Sequence, residues 1–456
     1  MISNDDTIAA IATANGEGGI AIVRISGRQA LTIADQVFRC PNAPPSQRPT
    51  HTVTWGHIVE QGRTLDEGLL VVMRAPQSYT REDVVELQCH GGVVTPRQVL
   101  HTVLLAGARM AEPGEFTYRA FINGRLDLPQ AEAVNDLIRS RSERAARLAV
   151  EQMDGTLSKQ FKNIYRNLIA LAAELEVVLD FTEEELSQDV AAKLIRQMET
   201  AGQEIGGLLT HWQDGHRIRE GLSVVITGRP NVGKSSLLNA LLGKERAIVS
   251  HHPGTTRDVI EESYYIEGVQ LRLIDTAGLH RAEGSIEQEG IRRTYEQIQK
   301  ADLYLYVLDA STPLHPEDSI HVLSLPPQRC LLILNKIDLG MNIVLSSLFN
   351  NLRKVDASSF LGIGLEEIKQ EILEIISHYI HLQSMPETII SERHYHLLNR
   401  ARHEIRDSLY FLKENHDELL AAHHIRNAVQ NIGNIIGNDI TDDILSSVFS
   451  KFCVGK

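Results

Sequence analysis

The sequence predicts a multidomain chain that combines an α+β region, an α-helical region and an α/β region built on a parallel sheet. Three observations support this fold class. The chain has 456 residues, about three times the length of a typical domain. Short β-like runs separated by turns fill its first part. Helical periodicity flanks a later segment in which strands alternate with helices.

The first region, residues 1–120, is predicted to be α+β. β-like runs occupy residues 20–25, 52–59 and 69–73, and a proline-rich turn cluster occupies residues 41–49. Turn residues between short runs are typical of strands joined by hairpins and loops. We expect this region to fold as a domain of its own.

Residues 121–219 are predicted to form the first part of a helical domain, because apolar residues recur every three or four positions, as at Leu171 and Leu175. Strand runs that alternate with helical stretches then indicate an α/β domain over residues 220–380. Helical periodicity returns over residues 381–456. Neither helical flank has the strand content of a separate fold, so we expect the α/β domain to be inserted into one helical domain.

Composition and charge exclude several classes of protein. Hydrophobic residues make up 43% of the chain and charged residues 23%, which excludes collagen-like, low-complexity and wholly disordered sequences. The net charge of −14 argues against a surface that grips nucleic acid throughout, so any RNA contact must be local. Asp5 and Asp6 stand where a signal peptide needs positive charge, and no run approaches about 18 apolar residues, so we expect a cytoplasmic protein without a membrane span.

A phosphate-binding loop is predicted at residues 228–235, which read GRPNVGKS and fit the GxxxxGK[ST] pattern between a predicted strand and a predicted helix. Glycines in such a loop let backbone N–H groups wrap a phosphate at a helix N-terminus. Lys234 would neutralise phosphate oxygens, and Ser235 would offer its hydroxyl to Mg²⁺. The residues expected to bind here are Gly228, Asn231, Val232, Gly233, Lys234, Ser235 and Ser236.

Two further motifs follow predicted strands. DTAG at residues 275–278 would bring a carboxylate near Mg²⁺ and a backbone N–H near the γ-phosphate. In NKID at residues 335–338, the Asp338 carboxylate can accept hydrogen bonds from both the ring N–H and the amine of guanine, and adenine offers neither donor. The residues expected to contact GTP are Asp275, Thr276, Ala277, Gly278, Asn335, Lys336, Asp338 and Ala357, the last in a DAS segment at the end of another predicted strand.

These motifs resemble those of the translation-factor-like P-loop GTPases. Residues 254–258 read GTTRD, in which Thr256, next to Thr255, resembles the switch threonine that closes on Mg²⁺ and the γ-phosphate. Ras-like proteins carry a water-orienting glutamine after DxxG, but Leu279 occupies that position here and cannot form a hydrogen bond. The catalytic side chain must therefore come from elsewhere.

Four segments outside this region make the resemblance more specific: EGGIAIVRISG at residues 17–27, EDVVELQCHGG at 82–92, PGEFTYRAF at 113–121 and FCVGK at 452–456. Over essentially its whole length the chain resembles the MnmE (TrmE) family of tRNA-modification GTPases. The resemblance implies a folate-binding α+β N-terminal domain that also forms the homodimer, an α-helical domain, and an inserted Ras-like P-loop GTPase domain. It further implies GTP hydrolysis coupled to the installation of an aminomethyl-type group at carbon 5 of the tRNA wobble uridine. The carbon donor would be a folate, and the flavoprotein MnmG (GidA) would join the chain in a heterotetramer.

The resemblance also assigns site residues by position. The residues implied to contact a reduced folate are Arg24, Glu86, Arg125 and Lys456. Those implied to hold metal ions are Ser235 and Thr256 for Mg²⁺, and Asn231, Ser250, His252 and Thr255 for K⁺. Those implied in catalysis are Glu287, which would orient the attacking water, with Lys234 and Thr256.

Plainer interpretations stay open at this point. Each folate residue could be a solvated surface charge, Asn231 a turn residue, and Glu287 a solvated carboxylate at a helix start. Cys453 could be a reactive thiol or a packed small side chain. The alternative functions are a GTP-switched ribosome-assembly factor of Era-like type and a folate-dependent one-carbon transferase with a vestigial G domain. A folate pocket would argue against the first, and the intact GTP motifs argue against the second.

Overall fold

A computed structural model describes residues 6–14, 16–140, 142–180, 188–210, 212, 215, 221–243, 261–266, 269–275, 301–379, 390–415, 417–438 and 441–456. The chain forms two compact units. The first unit comprises Met1–Arg139, Ala149–Gly206 and Arg393–Lys456, and the second, here called the inserted unit, comprises Ser140–Leu148 and Gly207–Glu392. The four-part division at residues 120, 219 and 380 stays a prediction.

The strands and helices follow in chain order. The strands are β1 (Ile8–Ile11), β2 (Ile20–Ser26), β3 (Phe38–Arg39), β4 (Thr52–Glu60), β5 (Arg63–Met73), β6 (Val84–His90), β7 (Arg109–Met110), β8 (Leu222–Thr227), β9 (Glu261–Ile266), β10 (Val269–Asp275), β11 (Leu303–Asp309), β12 (Cys330–Asn335) and β13 (Arg353–Asp356). The helices are α1 (Ala30–Val37), α2 (Thr95–Leu105), α3 (Glu115–Ile122), α4 (Leu128–Arg139), α5 (Glu143–Met153), α6 (Thr156–Asp180), α7 (Gln188–Thr210), α8 (Lys234–Leu242), α9 (Pro316–Ser324), α10 (Leu365–Tyr379), α11 (Glu392–Tyr410), α12 (Glu418–Ile436) and α13 (Asp442–Phe449).

A seven-stranded sheet organises the first part of the first unit. Its strands lie in the order β3-β4-β5-β6-β2-β1-β7, and every pair is antiparallel except β1 with β7. One face packs against α1 and α2, where Val23 and Leu87 are fully buried. Because side chains alternate along a strand, Arg24 in β2 and Glu86 in β6 lie on the opposite face.

Helices from both sides of the insertion pack together in the first unit. Helix α6 packs against α12, and both Leu168 and Ile425 are fully buried. Glu132 on α4 accepts a hydrogen bond from Arg393 Nε at 2.7 Å and lies 2.8 Å from His394 Nε2, and both partners belong to α11. Burial alone would raise the pKa of Glu132, but the charges of Arg393 and His394 lower it. The two helical flanks therefore form a single structure.

Residues 450–456, here called the tail segment, pack on the α+β part of the first unit. An aromatic cluster anchors the tail segment, formed by Tyr118, Phe121, Phe449 and Phe452. The Gly114 N–H donates to the Cys453 carbonyl at 3.3 Å. Gly455 has φ of 96°, and a Cβ at this position would strike the Ile11 carbonyl oxygen. Only glycine lets the tail segment lie this close to β1.

A six-stranded sheet with the order β13-β12-β11-β8-β10-β9 forms the inserted unit. All pairs are parallel except β9 with β10. Strands β11 and β12 are buried almost throughout, as expected for the centre of a parallel sheet covered on both faces. The segments that follow the parallel strands therefore share one edge of the sheet. Within the described ranges, the structure contains no helix that combines the length and the hydropathy of a membrane span.

Candidate functional site

The loop between β8 and α8 has a backbone conformation that requires glycine at two positions. Gly228 has φ of 139° and Gly233 has φ of 103°. A Cβ at Gly228 would strike the Val307 carbonyl oxygen, and one at Gly233 would strike the Asn335 amide. Both glycines are therefore required by the left-handed backbone and by close neighbours. The loop ends at the first turn of α8, where free backbone N–H groups suit an anion.

Lys234, the first residue of α8, is buried at the mouth of this loop. Its Nζ donates to the carbonyl oxygens of Gly228 at 2.9 Å and Arg229 at 2.8 Å. The ammonium group is thereby held inside the loop, where a phosphate would compete for it. Ser235 and Ser236 follow on the exposed side of the helix. A hydroxyl at this place is a hard oxygen ligand of the kind that Mg²⁺ accepts.

Asn335, the last residue of β12, joins three segments. Its Nδ2 donates to the Val232 carbonyl at 2.9 Å, which ties the strand end to the phosphate loop. Its Oδ1 accepts from both the backbone N–H and the Oγ of Ser359 at 2.9 Å. Asn335 is 2% exposed, and its amide forms a buried bridge between these segments.

Asp338 lies at the surface beside this bridge. Its Oδ1 accepts a hydrogen bond from Ser358 Oγ at 2.5 Å, and the residue is exposed. Ala357, which the sequence analysis expected to contact GTP, donates its N–H to Leu334 O at 2.8 Å, and its carbonyl oxygen accepts from the Ile337 N–H at 3.3 Å. Ser358 and Ser359 contact the same motif at Asp338 and Asn335, and Ser359 is a residue that the sequence analysis did not name.

Lys336 connects the NKID motif to Asn231 of the phosphate loop. Its Nζ donates to the Asn231 carbonyl at 2.7 Å and to Asp309 Oδ2 at 2.7 Å. The structure thus brings together the phosphate loop, the NKID motif and the segment after β13. We call this set, residues 228–236, 335–338 and 357–359, the nucleotide region.

Several predicted site residues lie outside the described part of the chain or have side chains that the structure does not describe. Asp275 is the last residue of β10, and its side chain is not described. The predicted residues outside the described part of the chain are Ser250, His252, Thr255, Thr256, Thr276, Ala277, Gly278 and Glu287. Their roles stay predictions.

A second candidate site is a cavity of about 280 Å³ in the first unit, which we call the tail pocket. Three charged residues line it: Arg24, Glu86 and Lys456. Its apolar walls are Met73, Tyr79, Val84, Val134, Leu137, Ile138 and Met153. Val134, Leu137 and Ile138 lie three and four positions apart on α4, a spacing that sequence alone shows but does not assign to a pocket.

Two hydrogen bonds hold Arg24 in the lining of the tail pocket. Its Nε donates to Glu86 Oε1 at 2.8 Å across the β2–β6 pair, and its Nη1 donates to the Gly455 carbonyl at 3.3 Å. The guanidinium carbon lies 5.8 Å from the centre of the Tyr79 ring, and the Arg125 guanidinium lies 4.7 Å from the same ring. Three of the four predicted folate residues thus line one cavity, and Arg125 stacks on its wall.

The electrostatics of the tail pocket favour an anionic guest. Burial lowers the pKa of Lys456, and the nearby charge of Arg24 lowers it further. Both effects disfavour the protonated lysine. A carboxylate bound beside Arg24 and Lys456 would offset them, because its negative charge stabilises both cations. Burial also raises the pKa of Tyr79, which keeps its hydroxyl neutral while it contacts Thr117 Oγ1 at 2.9 Å. The cavity combines a positive end with an apolar slot.

Two further sequence features concern the exposure of Cys453 and the grouping of side chains that could bind a metal ion. Cys453 is exposed in the tail segment. In the described part of the chain, no three His, Cys, Asp or Glu side chains come together as a metal site would require.

Two family models match the chain. The MnmE helical domain matches residues 128–453, and the N-terminus of the GTP-binding protein TrmE matches residues 7–125.

Full-length relatives carry the same family name. The tRNA modification GTPase MnmE of Geobacter sulfurreducens is 42% identical over 455 residues, which cover 99% of each chain. The MnmE of Geobacillus thermodenitrificans is 43% identical over 459 residues, with 99% of each chain covered. That of Moorella thermoacetica is 44% identical over 464 residues, with 99% of this chain and 100% of the relative covered. Among solved structures, the G domain of the T. maritima FeoB iron transporter aligns with 34% of this chain and 98% of its own at 33% identity, with a TM-score of 0.26, too low to bear on the fold.

Proposed function

This chain belongs to the MnmE family of tRNA-modification GTPases, and from that premise we propose how its two candidate sites divide the work. It is a GTP hydrolase that takes part in tRNA modification. The nucleotide region binds and hydrolyses GTP, and the tail pocket binds a reduced folate that donates a one-carbon unit. The product is an aminomethyl-type group at carbon 5 of the wobble uridine.

The observation that carries the GTP assignment is the set of contacts within the nucleotide region. Asn335 ties the phosphate loop to the segment after β13, and Ser358 orients the Asp338 carboxylate at an exposed position. A carboxylate so presented can accept from both the ring N–H and the amine of guanine, while an adenine would leave it unpaired. This arrangement supports GTP rather than ATP as the nucleotide.

Hydrolysis needs ions and a positioned water. Mg²⁺ would be held by the Ser235 and Thr256 hydroxyls, and it would neutralise charge between the β- and γ-phosphates. Leu279 cannot orient water through its side chain, and we propose Glu287 for that role because the family resemblance implies it. A K⁺ ion held by Asn231 would supply further positive charge, with the proposed partners Ser250, His252 and Thr255.

The folate assignment rests on the chemistry of the tail pocket. A folate has a flat, largely apolar ring system and a carboxylated glutamate end. The apolar walls suit the ring, and the cations Arg24, Lys456 and Arg125 suit the carboxylates. Glu86 holds Arg24 in place, and its remaining oxygen could accept from a ring N–H. A ribosome-assembly factor would have no use for such a pocket.

The family also supports a set of partners for the proposed reaction. We propose that the chain works as a homodimer and joins the flavoprotein MnmG in a heterotetramer that acts on tRNA in the cytoplasm. The flavoprotein would supply the redox chemistry.

The experiment that tests this function is nucleoside mass spectrometry of tRNA from a strain that lacks the protein. We expect the 5-substituted wobble uridine to disappear and the unmodified uridine to accumulate. A plasmid carrying the wild-type chain should restore the modification, and one carrying Asp338→Asn should not. An unchanged nucleoside profile in the deletion strain would refute the proposed function.

A further inference from the structure

We propose that Asp309 is a positioning residue of the nucleotide site. It orients Lys336, which in turn holds Asn231 of the phosphate loop. The inference rests on the proposed GTP site and adds to it a residue outside every predicted motif.

Asp309 lies next to the NKID motif, and its carboxylate is held in place. It is the last residue of β11, and its register partner on β12 is Asn335. Its Oδ1 accepts from Ser311 N at 3.0 Å and from Ser311 Oγ at 2.6 Å. These two contacts leave Oδ2 directed at Lys336 Nζ, at 2.7 Å. The carboxylate is therefore oriented before the lysine contributes anything.

The turn that carries Asp309 is itself anchored. The Ala310 N–H donates to the Asn335 carbonyl at 2.7 Å, and Asn342 Nδ2 donates to the Ser311 carbonyl at 3.0 Å. A carboxylate on a firmly attached turn has little freedom left to lose. It can therefore orient the flexible lysine at a smaller entropic cost than a mobile carboxylate could.

Lys336 passes this order on to the phosphate loop. Its Nζ also donates to the Asn231 carbonyl at 2.7 Å. Lys336 has φ of 67° and Asn231 has φ of 66°, so both ends of the link have left-handed backbones. Such backbones are unfavourable for residues other than glycine and persist where the surroundings hold them. The Asp309–Lys336–Asn231 link is such a support.

The surroundings make the ion pair effective. The side chain of Asp309 is 17% exposed and that of Lys336 is 29% exposed, so water screens the pair only in part. Burial alone would raise the pKa of Asp309, but hydrogen bonds from Lys336 and Ser311 lower it below its usual value. The carboxylate therefore stays ionised at neutral pH.

The consequence is a loop that is preorganised before nucleotide binds. Without the Asp309 carboxylate, the lysine loses one of its two partners, and the Asn231 carbonyl loses a restrained donor. Nucleotide binding must then order the loop and the lysine together. Because the link holds the backbone carbonyl of Asn231 rather than the side chain proposed to bind K⁺, the affinities for GDP and GTP should fall equally, and kcat at saturating GTP should change little.

The test is fluorescence titration of the full chain with labelled GDP and GTP, together with kcat at saturating GTP. Asp309→Asn, which keeps the shape and removes the charge, should raise both dissociation constants about tenfold and change kcat by less than about twofold. In a Lys336→Met background the same substitution should have almost no further effect, because Asp309 acts through the lysine.

Asp302→Asn is the matched control, since Asp302 precedes the same strand and accepts from Ser223 N at 2.9 Å and Ser223 Oγ at 2.8 Å at the opposite end of the sheet. It should lower the melting temperature about as much as Asp309→Asn and leave both dissociation constants unchanged. Unchanged affinity in Asp309→Asn, or full additivity with Lys336→Met, would overturn this inference alone. A wild-type chain that binds no guanine nucleotide would overturn the proposed function and this inference with it.

Discussion

The nucleotide region and the tail pocket are assembled in opposite ways. The nucleotide region uses loops that follow neighbouring parallel strands, and its short motifs carry both the proposed ligand contacts and the backbone turns. The tail pocket joins Arg24 to the carbonyl of Gly455, 431 positions away, and takes its apolar walls from β5, β6, α4, α5 and Tyr79. A site of the first kind can be recognised from local sequence, whereas a site of the second kind depends on how distant segments dock.

This difference predicts different responses to substitution. In the nucleotide region a single side chain should control a single step, because the sheet edge holds the rest in place. In the tail pocket the loss of one charged side chain should weaken folate binding only partly, because several side chains are proposed to contact the folate.

The largest effect is expected at Asp338. Asp338→Asn replaces a two-fold acceptor by an amide that presents a donor to the guanine amine, so GTP affinity should fall roughly 10²- to 10³-fold. Xanthosine triphosphate, which has a carbonyl in place of that amine, should bind the variant better than GTP does. Asp356→Asn, at an exposed position beside the same motif, is the control and should bind GTP normally. Equal binding of GTP and ATP by the wild-type chain would contradict the guanine assignment.

The next largest effect is expected at Glu287, the proposed water-orienting residue. Glu287→Ala should lower kcat about 10²-fold while GTP affinity survives, because the contact forms mainly in the transition state. Single-turnover hydrolysis and nucleotide titration on the same preparation separate the two quantities. Glu283→Ala and Glu289→Ala are the controls; a normal kcat in Glu287→Ala with either control inactive would move the role to a neighbouring carboxylate.

A moderate effect is expected at Arg24. Arg24→Ala removes one of the cations in the tail pocket and leaves Glu86 without its partner, so calorimetry should show about tenfold weaker binding of a reduced folate. The rate of GTP hydrolysis should stay within about twofold. Arg63→Ala, an exposed arginine at the start of β5, is the control. Full retention of folate affinity in Arg24→Ala would remove this residue from the site.

The smallest effect is expected at Ser358. Ser358→Ala removes the hydrogen bond to Asp338 Oδ1 but leaves the carboxylate in place, so GTP affinity should fall about fivefold. Ser346→Ala, which starts a surface turn in the same unit, should leave it unchanged. A loss as large as that of Asp338→Asn would mean that the serine contacts the base directly.

Sequence reasoning succeeded where local rules decide the structure. The runs at residues 20–25 and 52–59 lie within β2 and β4, and the apolar runs before GRPNVGKS and NKID are β8 and β12. Strand periodicity and glycine punctuation suffice there. The same rules could not supply the walls of the tail pocket, because Val134 and Ile138 look like any amphipathic helix face until the tail segment docks beside them. Nor could they single out Asp309, since an aspartate at a strand end has no motif and its meaning comes from Lys336.

The most direct test of this account is a chain shortened to end at Phe452, assayed for both ligands on one preparation. Phe452 keeps its place in the aromatic cluster, but the Gly455 carbonyl that holds Arg24 and the Lys456 side chain are removed. Two independently assembled sites predict that calorimetry with a reduced folate shows at least about tenfold weaker binding, while kcat and KM for GTP stay within about twofold. Normal folate binding by the shortened chain, or a parallel loss of GTP hydrolysis in a protein that still unfolds cooperatively, would contradict the account.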